Sequence, residues 1–146
     1  MRAAGRSDES AATGSSEGTQ TLNGDSPGKP PVTISIRAVS DVPVVKVHGA
    51  VDAHTSRSLQ EAALQVMDRS RSRVVIDLED CTYLDSAGLG VFFSLVAWAR
   101  KVEGRVAAVR PSLDVLRILQ LVRLTDERGF QVFTELEGAQ VALADA

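Results

Sequence analysis

The sequence predicts an α/β fold: a mixed β-sheet of about five strands with about four helices packed against it. Three observations carry this. Short apolar or alternating runs of strand length are separated by segments whose apolar residues recur at helical spacing. The first two strand-like runs follow one another closely and read as an antiparallel pair. The later ones alternate with helices and read as parallel βαβ units with right-handed crossovers.

Val32-Thr33-Ile34-Ser35-Ile36 alternates apolar and polar, as a half-exposed strand does. Val44-Val45-Lys46-Val47 reads as its partner, reached through a turn near Ser40-Asp41, and Gly49 to Asp52 then leave the sheet. Leu59, Ala62, Ala63, Val66 and Met67 give a first helix one apolar face. Residues 73–78 form a further strand. A second helix is expected over residues 86–102, apolar almost all round up to Ala99 and therefore mostly buried, with Trp98 in the core and Gly104 ending it. Residues 105–110 are the next strand. Pro111-Ser112 opens a third helix with Val115, Ile118, Leu119 and Val122 on one face. Residues 130–133 are a last strand and residues 135–143 a last helix.

Residues 1–31 are rich in Ser, Gly, Thr, Ala and Pro, and Leu22 is the only large aliphatic residue after Met1. Such a segment cannot bury enough surface to offset its ordering entropy, so a disordered N-terminal tail is expected, with one domain over residues 32–146. The net charge of −3 gives no basic footprint for nucleic acid. Arg69, Arg71 and Arg73 cluster at a helix end, where positive charge complements the dipole. No stretch is apolar for long enough to span a bilayer, and no apolar leader opens the chain. The single cysteine, Cys81, forms no internal disulfide and fits a small, semi-buried residue in a reducing compartment. These features predict a cytoplasmic protein without nucleic-acid or membrane partners.

The most informative segment is Val74 to Gly90. It begins with Val-Val-Ile-Asp, a short apolar run that fits a buried strand, and closes with Asp85-Ser86-Ala87-Gly88-Leu89-Gly90, which opens the second helix. Ser86 therefore stands at a strand–helix junction. Helix N-termini carry unpaired N–H groups and the positive dipole end, so a serine there can cap the helix, act as a nucleophile or carry a phosphate.

Gly49-Ala50-Val51-Asp52, Val75-Ile76-Asp77-Leu78 and Asp85-Ser86-Ala87-Gly88-Leu89-Gly90, in this order and spacing, resemble the STAS family, and within it the bacterial anti-anti-sigma factors, or anti-sigma factor antagonists. The resemblance implies a STAS-like sheet. It also implies a regulator of stress-response or sporulation-like transcription that works by partner switching. In its unphosphorylated form such a protein binds an anti-sigma factor and so releases a sigma factor. The anti-sigma factor is itself a serine kinase of the histidine-kinase-like ATPase fold, and phosphorylates the serine that corresponds to Ser86. A separate serine phosphatase restores binding. By the same resemblance Asp52, Asp85, Ser86, Ala87, Gly88 and Leu89 contact the partner. One departure is plain. Many relatives carry Ser-Gly-Leu or Thr-Gly-Leu after the third helix, whereas this chain reads Val122-Arg123-Leu124, without the glycine.

The other readings of these residues are weaker. A hydrolase elbow needs Gly where Leu84 stands, and the only histidines, His48 and His54, precede Ser86. A dinucleotide loop fails because Phe93 occupies its third glycine position. Asp52 and Asp85 also suit helix starts, and Asp77, within an apolar strand, suits a buried structural carboxylate. No His/Cys cluster supports a metal site, so neither a metal, a cofactor nor catalytic residues are expected. Two alternatives to the antagonist remain: a STAS subunit of a larger stress-signalling or transporter assembly, and a small serine hydrolase.

Overall fold

The structure is a computed structural model and describes residues 19–23, 33–39, 42–67 and 73–144. Six strands form one sheet in sequence order: β1 (Thr19–Asn23), β2 (Thr33–Val39), β3 (Val42–Val51), β4 (Arg73–Leu84), β5 (Arg105–Val109) and β6 (Phe130–Phe133). β1, β2 and β3 pair antiparallel, and β3 through β6 pair parallel. Four helices, α1 (Ser56–Met67), α2 (Ser86–Lys101), α3 (Leu113–Leu121) and α4 (Leu136–Ala144), complete the fold, with a 3-10 turn at Leu124–Asp126. β2 to β6 and the four helices are the mixed sheet and helices expected from the sequence.

β1 is the addition. Residues 19–23 were expected within the disordered tail, yet Leu22 pairs with Ile34 and the strand extends the sheet past β2. Thr-Gln-Thr-Leu-Asn offers little to bury, but threonine suits a strand, and the open edge of β2 supplies the backbone partners. The rest of residues 1–31, the turn at Ser40-Asp41, Arg69 and Arg71 lie outside the described residues.

Alternation along the strands builds two cores. One face sends Ile34, Ile36, Val45, Val47, Val74, Ile76 and Leu78 against α1, α2 and α3, including Leu59, Phe92, Leu95 and Leu119. Phe92 meets Phe130 edge-on, ring centroids 6.1 Å apart. The other face sends Val42, Val44, Val75, Ala107 and Val109 against Ala139 and Leu143 of α4. The five α1 residues read as its apolar face are all buried. Trp98 is not core: it is 43% exposed. Val91, Phe92, Leu95, Val96 and Ala99 occupy the inward arc of α2, and Trp98 falls outside it.

Two helix ends use positive φ without glycine. Glu103 (φ 58) follows α2, and the Gly104 N–H then reaches back to Ala99 O at 2.7 Å, in the Schellman manner. Arg123 (φ 63) takes the left-handed position after α3, a conformation that glycine adopts most easily, so the chain turns there without one. Its Nε donates to Asp126 Oδ2 at 3.1 Å, and the buried Leu124 follows directly.

Arg73 opens β4. It is buried and its Nη1 donates to Ala144 O at 3.2 Å, at the C-terminal end of α4. Asp77 is a buried carboxylate with partners. Its Oδ2 accepts from Arg110 Nη2 at 2.6 Å and its Oδ1 from the Glu79 N–H at 3.0 Å. That hydrogen bond, with the charge of Asp77, holds Arg110 above the usual guanidinium range.

Candidate functional site

The site lies where β3 and β4 end. β4 runs to Leu84, beyond the Leu78 expected from its pattern, because it is bulged. Between the paired positions Lys46↔Asp77 and Val51↔Leu84 it carries two more residues than β3, inserted at the Lys46/His48 and Gly49/Ala50 register shifts. The bulges break the alternation by which a strand is recognised, and they bring Leu84 level with Val51. The residues that follow, Asp52 and Asp85, therefore leave the sheet side by side, and the Asp85 N–H donates to Val51 O at 3.2 Å.

Each aspartate organises a helix start. Asp52 Oδ1 accepts from the His54 N–H at 2.9 Å and the Thr55 N–H at 3.1 Å, while Asp52 O accepts from the Ser56 N–H at 2.8 Å. The Thr55 hydroxyl, buried beneath, lies 3.0 Å from Ala50 O and 3.1 Å from Asp52 Oδ1. Thr55 is part of the site that the sequence reading missed, although Asp followed three residues later by Thr is a turn signal.

Asp85 is the N-cap of α2, with Oδ1 accepting from the Ala87 N–H at 2.9 Å and the Gly88 N–H at 3.1 Å. The sequence left capping open to Ser86, but Ser86 is the first helical residue. Both residues are good caps, and Asp85 has the extended backbone a cap requires, with ψ −168. The Ser86 side chain is exposed, and no side chain among the described residues hydrogen-bonds its hydroxyl. His48 is committed elsewhere, its Nδ1 lying 3.2 Å from Asp80 Oδ2.

Gly88 explains how closely the helix start can approach the sheet. An added Cβ there would lie 3.0 Å from Val51 O and 3.1 Å from Leu84 Cδ2. Ala87 and Leu89 are half-buried beside it, and Leu89 packs on the main core. The structure therefore gathers Asp52, Asp85, Ser86, Ala87, Gly88 and Leu89 around one sheet end. Of these, Gly88 is buried, Ser86 is exposed and the other four are half-buried. Tyr83, 52% exposed, stands just before them.

Among the described residues, no group of His, Cys, Asp or Glu side chains is arranged to hold a metal ion. None of the described helices is long and apolar enough to cross a membrane. The site is a small exposed hydroxyl at a positive helix end, flanked by two carboxylates. It can accept a group from another catalyst and present the resulting charge on the surface.

Comparison with known proteins gives the family. The anti-sigma-B factor antagonist of Staphylococcus aureus is 26% identical over 93 residues, covering 64% of this chain and 86% of that protein. The solved structure of an anti-sigma factor antagonist from Mycobacterium paratuberculosis superposes with a TM-score of 0.70 at 26% identity, over 83% of this chain and 99% of that one. The Bacillus cell fate determinant SpoIIAA, in its phosphorylated form, shares the fold with a TM-score of 0.59 at 18% identity, over 75% of this chain and 98% of its own. The sequence pattern of one family, Mlab, STAS domain, matches residues 34–135. This chain belongs to the STAS-domain family.

Proposed function

We propose that this protein is an anti-sigma factor antagonist that works by partner switching, with Ser86 as its switch. Unphosphorylated, it binds an anti-sigma factor in the cytoplasm and frees a sigma factor. The anti-sigma factor, a serine kinase of the histidine-kinase-like ATPase fold, phosphorylates Ser86, and a serine phosphatase reverses this. The chain acts as a regulator rather than an enzyme, and the ATP belongs to the kinase partner.

One observation carries this reading: the helix-end N–H groups of Ala87 and Gly88 are already held by Asp85, so the neighbouring Ser86 hydroxyl is structurally uncommitted. A residue without a structural duty, at the tip of a rigid helix, can be modified without unfolding its surroundings. A phosphate adds about −1.5 to −2 charges at neutral pH. Added beside Asp85 and Asp52, it makes a surface that already carries two carboxylates more strongly anionic. A partner that seats on that surface then faces desolvation and like-charge costs. The relatives named above support the antagonist class, and the phosphorylated form of SpoIIAA shows that a protein of this fold takes a phosphate.

The test is phosphorylation by the cognate kinase with ATP, followed by site mapping. Phosphate is expected on Ser86, and phosphate mainly on Ser56 or Ser58 overturns the assignment. Ser86→Ala is expected to hold the partner constitutively, and Ser86→Asp to weaken it. Equal affinity of both variants and the wild type would remove Ser86 from the switch.

A further inference from the structure

We propose that β1 is a detachable cap on the edge of β2, and that the edge it covers pairs with a second copy of this chain when β1 is displaced. The inference does not depend on the role of Ser86.

β2 has what a pairing strand needs. Its residues Thr33, Ile34, Ile36 and Val39 are β-branched, Arg37 is its one charge, and it contains no proline. Ile34 and Ile36 are buried in the main core, which fixes the faces of the strand. β3 pairs with β2 along its whole length on one side. On the other side β1 takes Thr33 to Arg37 in regular antiparallel register. The opposite edge of the sheet, β6, has only 4 residues, too short to be a good template for another chain.

β1 holds its place weakly. It sets Leu22, its one large aliphatic residue, opposite Ile34, and Gln20 opposite Ile36. Residues 24–32 join the two strands and include Gly24, Pro27, Gly28, Pro30 and Pro31. That connection exceeds the roughly two to five residues of a hairpin loop, so a tight turn does not dictate the pairing. β1 is also a safer edge than β2. It is shorter, and Glu17 and Asp25 bracket it in the sequence, as charges do on edges that avoid further pairing.

A second copy is the occupant that fits the place of β1. An antiparallel ladder is self-complementary about a two-fold axis, so one β2 can serve as the partner of another. A ladder centred on Ser35 spans the same Thr33 to Arg37 that β1 covers. It sets Ile34 opposite Ile36 of the second copy, and Ile36 opposite Ile34 of the second copy. Two Ile–Ile pairs thereby replace the Leu22–Ile34 and Gln20–Ile36 pairs, a better match for a β-sheet face. In the intact chain β1 is tethered beside β2, and its high effective concentration keeps the edge closed.

The test uses the full chain with Gln20→Pro combined with Thr21→Pro. Successive strand residues direct their N–H groups to opposite edges, so one of the two prolines removes a bond to β2. Sedimentation velocity at rising concentration is expected to show a single chain for the wild type and a shift toward twice that mass for the variant. Hydrogen exchange read by mass spectrometry supplies the location. In the wild type, residues 19–23 are expected to exchange at least roughly ten-fold faster than residues 44–47 of β3. In the variant, protection of residues 33–37 is expected to grow with concentration. A variant that stays a single chain at every concentration, or associates without added protection at residues 33–37, overturns the pairing edge. Exchange of residues 19–23 as slow as that of β3, or loss of the fold in the proline variant, overturns the detachable cap.

Discussion

Gly88→Ala and Gly90→Ala are the same substitution two residues apart in α2, and the structure predicts opposite signs for them. Replacing a helical glycine by alanine gains up to about 1 kcal/mol of helix propensity. At Gly90 nothing opposes this, because the new methyl meets no atom within 4 Å. At Gly88 the methyl would sit 3.0 Å from Val51 O and 3.1 Å from Leu84 Cδ2 and Val51 Cγ1. The side-chain ends can yield. The carbonyl cannot, because it accepts the Asp85 N–H and belongs to the paired end of β3 and β4. Overpacking of this kind costs about 1–3 kcal/mol. The propensity gain offsets part of it, leaving Gly88→Ala about 1 kcal/mol less stable and Gly90→Ala about 0.5–1 kcal/mol more stable than wild type. At roughly 3–6 °C per kcal/mol for a domain of this size, the two variants should melt about 5 °C or more apart. Thermal and urea unfolding, followed by far-UV circular dichroism, measure this. A Gly88→Ala protein that melts at or above Gly90→Ala would refute the close approach of α2 to β3 on which the site is built.

Asp85→Ala should lose about 1 kcal/mol through the lost cap, whereas Ser86→Ala should change stability by less than about 0.5 kcal/mol; the reverse order in urea titrations would return the cap to Ser86. Arg110→Met leaves Asp77, 2% exposed, without its guanidinium. It should cost about 3 kcal/mol, the low end for a broken buried pair because Arg110 itself is partly exposed, and more than Asp77→Asn, which chemical denaturation can compare. Burial pushes the Cys81 thiol above its ordinary value, so iodoacetamide should label it only on unfolding. The sign of the pH effect follows. The folded state holds that proton more tightly, so its contribution is complete below the unfolded thiol pKa of about 8.5 and is lost as pH rises through the higher folded value. Cys81→Ser should flatten the alkaline loss of stability, and an unchanged alkaline limb would contradict the buried thiol.

Elements whose packing obeys one period were legible in the sequence. Leu59, Ala62, Ala63, Val66 and Met67 were assigned to the core from spacing alone, and all are buried. Val115 and Leu119 of α3 are buried as read, while Val122, past the end of that helix, is 37% exposed. α2 defeated the same reasoning. A helix apolar nearly all round has a weak moment, so spacing could not say that Trp98 points away from the sheet. β1 was invisible because its sequence offers little to bury and it pairs through its backbone with β2, a long-range property that composition does not carry. The last six residues of β4 were missed because bulges destroy the two-residue alternation.

At the site, the segment and its order were legible, but the division of labour was not. Asp85 and Ser86 are both competent caps, and only backbone geometry shows that the aspartate takes the N–H groups and leaves the serine open. Asp77 was recognisable as a structural carboxylate. Its partner Arg110 was not, since the two residues meet only when β5 is laid beside β4 and the chain turns with φ 55 at Arg110.

The most direct test of the switch is the affinity of the purified anti-sigma factor for this protein before and after phosphorylation, measured by calorimetry on full-length samples whose single phosphate has been mapped to Ser86. The account predicts that the phosphorylated form binds at least roughly ten-fold more weakly with its melting temperature nearly unchanged, as a surface charge would act. Equal affinity of the two forms would contradict it.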